Sequence, residues 1–81
     1  MKTIEDIELE QTCGACPEQY DAIVDDEIIG YLRLRHGYFS VEYKGELVYE
    51  ATPNGDGLFE YEERPYFLRK AKQALLKKIN N

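Results

Sequence analysis

Few side chains in this 81-residue chain are equipped for chemistry: two cysteines, one histidine (His36), one serine (Ser40), no tryptophan and 16 carboxylates. Cys13-Gly14-Ala15-Cys16 is the only cysteine motif. A closed structural zinc site takes four ligands, and His36 is the only other soft donor. One chain would therefore need a carboxylate as the fourth ligand. Cys13 and Cys16 from two chains would complete a four-thiolate site and make metal binding and dimerisation one event. The same spacing occurs in dithiol redox sites, but those lie at a helix start in a βαβ unit, which lowers the thiol pKa. Here the motif sits in a turn-like stretch, Gln11 to Pro17, between segments that read as antiparallel strands. The preferred reading is a pair of reduced thiols in a tight connection, with no cofactor expected and zinc as the alternative.

Thr52-Pro53-Asn54-Gly55-Asp56-Gly57, with Glu63 beyond it, approaches a calcium loop. Asn54, Asp56, Gly57 and Glu63 take ligand positions 3, 5, 6 and 12 of that pattern. Position 1 is Thr52 rather than an acid, and a strand precedes the loop where a helix is required. A strand-to-helix connection rich in turn formers is the simpler reading. Ser40 and His36 lack any marked orienting acid or oxyanion hole, and no glycine-rich phosphate loop is present. The carboxylates are patterned as surface charge. The expectation is a protein that is not an enzyme and has no small-molecule substrate.

Charge is the most uneven feature. The net charge is -6. Residues 1–63 hold all 16 acids against Lys2, Arg33, Arg35 and Lys44, which makes that part -12. Residues 64–81 hold six bases and no acid, which makes them +6. This asymmetry suits self-complementarity or a charged partner.

The elements that must position these groups follow from parity and turn chemistry. Asp6 to Glu10 alternates as a half-exposed strand. Tyr20 to Ala51 is rich in Tyr, Val, Ile and Phe, and breaks at Asp25-Asp26, His36-Gly37 and Lys44-Gly45, which predicts consecutive hairpins. Residues 17–24 also fit helical spacing; strand is preferred. A two-residue turn at His36-Gly37 pairs Leu34 with Phe39. Three-residue loops are preferred at Asp25-Asp26-Glu27, pairing Val24 with Ile28 and Tyr20 with Leu32, and at Lys44-Gly45-Glu46, pairing Tyr43 with Leu47 and Val41 with Tyr49. Leu68, Ala71, Leu75 and Ile79 fall at helical spacing, with Pro65 suited to the first turn and Lys77 and Lys78 to the last. The expected fold is α+β: one domain over 1–81, an antiparallel four- or five-stranded meander over about 4–51, a turn over 52–57, and a helix over about 65–80 packed on one face.

The other sheet face is then left open. It should show Ile23, Ile29, Tyr31, Arg33, Arg35, Tyr38, Ser40, Glu42 and Val48, with Asp21 paired to Arg33. Tyrosine, arginine and aliphatic side chains together are what interface centres are enriched in. Tyr31, Arg33, Arg35 and Tyr38 are therefore the candidate binding residues, for a protein partner or a second copy. The alternative is nucleic acid, met by Arg69, Lys70, Lys72, Lys77 and Lys78 on the helix, or an acidic body imitating DNA. Gly37 to Tyr43 echoes the aromatic strand of RNA-recognition domains, but the aromatics are displaced and the surrounding acids would repel phosphate. The longest apolar runs are far below the roughly 20 residues of a membrane span, and Met1-Lys2 leads into charge rather than a signal peptide, so no membrane partner is expected.

Three stretches carry a resemblance: Cys13-Gly14-Ala15-Cys16-Pro17-Glu18-Gln19-Tyr20-Asp21, Gly30-Tyr31-Leu32-Arg33-Leu34-Arg35-His36-Gly37-Tyr38-Phe39, and Gly55-Asp56-Gly57-Leu58-Phe59-Glu60. The chain resembles small uncharacterised proteins encoded by bacteriophages and mobile elements of Gram-positive bacteria. The resemblance implies a cytoplasmic accessory protein with reduced cysteines, and it implies no activity or site residues.

Overall fold

A computed structural model describes residues 1–13 and 17–81. After a 3-10 turn over Ile4–Asp6 come β1 (Glu8–Cys13), β2 (Glu18–Val24), β3 (Glu27–Arg35), β4 (Tyr38–Tyr43), β5 (Glu46–Ala51) and α1 (Arg64–Ile79). The five strands form one antiparallel sheet in meander order, and α1 crosses one face of it. Of residues 17–24, Glu18–Val24 form the strand β2, as preferred, and Pro17 is a bend. β1 continues through Gln11 to Cys13, so the start of the stretch read as turn-like is strand.

Alternation along the strands sets the core. Tyr20, Ala22 and Val24 of β2, Leu32 and Leu34 of β3, and Phe39 and Val41 of β4 point under the helix, where Ala71 and Leu75 meet them. Phe39 is the hub: its ring contacts Phe59 at 4.9 Å edge to face, and Tyr49 and Phe67 at 6.2 Å each. At Gly30 the sheet leaves no room for a side chain beneath the helix. A Cβ there would lie 2.8 Å from the Glu42 carbonyl oxygen and 2.9 Å from a Leu75 methyl.

The hairpins correct two expectations. His36-Gly37 is the two-residue turn expected, with Leu34 opposite Phe39. Asp25-Asp26 and Lys44-Gly45 are also two-residue turns, not three-residue loops; all four of these residues have positive φ, as the mirror-image hairpin turn requires. Val24 therefore faces Glu27, and Tyr43 faces Glu46. A bulge then adds Ile29 in β3 and Val48 in β5, which restores the expected Tyr20–Leu32 and Val41–Tyr49 pairs. These bulges exchange neighbours between the faces. Ile29 is 6% exposed and belongs to the core, against its assignment to the open face, while Ile28 is 61% exposed. Val48 likewise packs on the core, and Leu47 is 47% exposed.

The chain ends are clamped together. Asn80 exchanges two hydrogen bonds with the Lys2 backbone, its side-chain amide donating to the carbonyl at 2.9 Å and its side-chain oxygen accepting from the N–H at 3.1 Å. The Lys2 ammonium meets the Asp25 carboxylate at 2.7 Å.

Candidate functional site

The open face is organised in cross-strand rows. Glu10, Asp21, Tyr31, Glu42 and Leu47 hold successive register positions in one row, from β1 to β5. Cys13, Gln19, Arg33, Ser40 and Glu50 hold the next, and Arg35 faces Tyr38 beyond it. The candidate residues Tyr31, Arg33, Arg35 and Tyr38 thus stand together at the middle and one end of the face. The opposite end carries Ile23, Ile28 and Leu47 beside Asp21 and Glu42. Arg33 and Arg35 stand towards one end of the strands, with Glu50 in the Arg33 row, while Glu10, Asp21 and Glu42 share the adjacent Tyr31 row and Lys44 lines the depression beside Ile28 and Glu42, so the charge along the face is graded rather than divided.

The tyrosines are held in place and the arginines are not. The Tyr31 hydroxyl donates to the Gln19 side-chain oxygen. The Tyr38 hydroxyl donates to a Glu50 carboxylate oxygen at 2.9 Å, and this bond holds its proton beyond the ordinary tyrosine pKa. Among the described residues, Arg33 and Arg35 make neither a side-chain hydrogen bond nor an ion pair. The expected Asp21–Arg33 pair does not form, because the register sets Asp21 opposite Tyr31 and Arg33 opposite Gln19. A cleft of about 310 Å³, lined by Pro17, Arg35, His36, Asp56 and Gly57, opens at the arginine end.

The basic helix residues are dispersed. Lys70, Lys77 and Lys78 line a groove of about 680 Å³ against Glu46 to Tyr49 of β5, whereas Arg69 and Lys72 line a separate depression beside Ile4, Leu9 and Pro65. Lys78 is paired with Glu46 at 2.9 Å, and Lys70 lies 5.6 Å from the centre of the Tyr66 ring.

Of the cysteine motif, Cys13 ends β1 and is half-buried, and Cys16 lies outside the described residues. Among the described residues, no three His, Cys, Asp or Glu side chains converge as metal ligands. In the calcium-like segment, Glu63 accepts hydrogen bonds from the backbone N–H groups of Asn54 (2.9 Å), Gly55 (2.8 Å) and Glu60 (2.9 Å). Partial burial would raise its pKa, but these three donors outweigh that and hold it below the usual carboxylate range. Glu63 gathers the strand-to-helix connection around itself.

One carboxylate is not surface charge. Glu18 is 1% exposed. Its oxygens accept from Arg64 Nε (2.9 Å) and Nη2 (3.1 Å), from the Phe59 N–H (3.0 Å) and from the Tyr20 hydroxyl. Burial alone would raise its pKa; the guanidinium, the phenol and the amide together hold it low instead. Tyr20 is pushed up to about 12 by its own burial and by the adjacent carboxylate. The cluster is saturated, with no buried side-chain polar atom among the described residues left unpartnered. It joins β2 to the residue 52–63 connection and the start of α1. The signal was present: the parity that turns Tyr20, Ala22 and Val24 inward also turns Glu18 inward. Set against family models, curated proteins and solved structures, the chain finds no match in any of the three.

Proposed function

We propose that this chain is a non-enzymatic accessory protein, a protein-interaction module whose contact surface is the open sheet face centred on Tyr31, Arg33, Arg35 and Tyr38. The observation that carries this reading is the pair of unpaired guanidinium groups set among tyrosines whose hydroxyls are already fixed. Anchoring the rings beforehand lowers the entropy lost on docking, and the free forks can each take a carboxylate in two-point contact. The partner chemistry is a protein surface that brings a carboxylate onto Arg33 or Arg35 and an apolar side chain onto Ile28 and Leu47.

The phage-protein resemblance fits such an accessory role without adding a site. Nucleic acid on the helix is less favoured, because its cations are split between two grooves and Lys78 is already paired.

The test compares complexes captured by the wild-type chain, by Tyr31→Ala/Arg33→Ala, and by Lys70→Glu/Lys77→Glu. Complexes lost with the first variant and kept with the second support the face. Complexes indifferent to the first variant refute it, as does binding to DNA that falls steeply with salt and with Lys70→Glu/Lys77→Glu.

A further inference from the structure

We propose that the partner of the open face is a second copy of this chain, docked face to face about a two-fold axis that swaps the two ends of the face. The inference rests on the reading of that face as the contact surface and adds the identity of what covers it.

A two-fold interface uses the same patch on both copies, so a patch suits it only if it is complementary to itself. For two sheets packed face to face, the axis must lie in the plane between them. With the axis perpendicular to the strands, β3 of one copy runs over β3 of the other in the opposite direction. A face with uniform charge would repel itself in this arrangement. The charge on this face is graded along β3, and the axis brings its unlike levels together. If the axis passes between the Tyr31 and Arg33 levels, Arg33 of each copy comes over the other copy's row of Asp21, Tyr31 and Glu42. Arg35, two residues further, comes over the level of Ile28. Its aliphatic stem can cover that side chain while the guanidinium reaches a carboxylate.

The spacing is suitable. Two residues along a strand span about 6.6 Å, and packed sheets stand about 10 Å apart, within reach of an arginine extended toward the partner sheet. The apolar component comes from the bulges. By turning Ile28 and Leu47 outward, they place two large aliphatic side chains, 61% and 47% exposed, on the side of the face away from Arg35. The same exchange turns Ile29 and Val48 into the core of each copy, and it leaves Ile28 where the other copy's Arg35 stem can cover it.

Light scattering on the intact chain across a concentration series tests the proposal, with circular dichroism showing that each variant is folded. The wild type should move from the 9.5 kDa monomer towards twice that mass. Arg33→Glu should raise the dissociation constant at least tenfold, and Asp21→Arg/Glu42→Arg should do the same. Mixing these two variants should restore a dimer, because each supplies the charge the other has reversed. Three results would overturn the proposal: a wild-type monomer at about 0.5 mM, a dimer indifferent to Arg33→Glu, or a dimer that chelator dissolves, which would assign it to Cys13 and Cys16. A wild-type monomer whose captured complexes still depend on Tyr31 and Arg33 would sink the second copy and leave the contact surface standing. Loss of that dependence would sink both.

Discussion

Replacing Arg64 with methionine keeps most of its aliphatic stem and removes the fork that neutralises Glu18. The carboxylate would then sit in the interior with only the Tyr20 hydroxyl and the Phe59 N–H as donors. Removing one partner of a buried pair costs about 3–5 kcal/mol. Arg64 is about one-third exposed, so solvent already screens part of the interaction and the lower end applies, about 3 kcal/mol. In a domain of this size that corresponds to a fall in Tm of about 12–24 °C, at roughly 4–8 °C per kcal/mol. Glu18→Gln keeps the shape and one acceptor but turns an amide N–H towards Arg64, and should cost about 2 kcal/mol.

The pH dependence gives the effect its signature. The folded structure holds the Glu18 pKa below the ordinary value of about 4.3 expected in the unfolded chain. Its stabilising contribution is therefore complete above about pH 4.3 and is lost as the pH falls through the folded value. In Arg64→Met burial is no longer offset by the guanidinium and raises the Glu18 pKa above the unfolded value, so the variant regains stability as that carboxylate takes up a proton, and acidification from pH 7 towards 4 should narrow the gap between variant and wild type. Urea denaturation at a series of pH values reads both quantities. A difference below about 1 kcal/mol at pH 7, or a gap of constant size down to pH 4, would refute the role given to the pair.

Gly30→Ala should destabilise by about 1–3 kcal/mol in the same assay, because its Cβ would strike the fixed Glu42 carbonyl and Leu75. Glu63→Ala removes the acceptor shared by three backbone amides and should cost about 1–2 kcal/mol, with protease cleavage appearing first within residues 52–60. Lys44→Asn, at a turn position with φ of 49°, should stabilise by a few tenths of a kcal/mol up to about 1 kcal/mol, read as a higher denaturation midpoint.

The meander, the helix and the side of the sheet that the helix covers were all legible in the residues, because period-two alternation and the 68/71/75/79 spacing each leave only one sensible burial. The His36-Gly37 turn was legible because Arg35 before it marks the outward side and leaves Leu34 to pair with Phe39. At Ile28-Ile29 and Leu47-Val48 an adjacent apolar pair blurs the parity. A three-residue loop and a two-residue turn followed by a bulge give the same pairing further along the strand, and they differ only in which member of the pair faces inward. Pattern alone does not separate the two; the positive φ that Asp25, Asp26 and Lys44 tolerate does. Glu18 was missed because acids elsewhere in the first 63 residues mark solvent, and its partner Arg64 is 46 residues away in sequence. The register sets Tyr31, Arg33, Arg35 and Tyr38 on one face as parity implied, but the exposed aliphatic neighbours on that face, Ile28 and Leu47, are those supplied by the bulges.

The contact role of the bare side of the sheet is tested most directly by side-chain resonances followed as the chain is concentrated from micromolar to millimolar. The Arg33 and Arg35 Nε–H groups, the Tyr31 ring and the Ile28 and Leu47 methyls should shift together along one binding curve, while Lys70 and Lys77 stay still. Shifts confined to α1, or an unchanged spectrum at every concentration together with captured complexes that ignore Tyr31 and Arg33, would contradict the assignment.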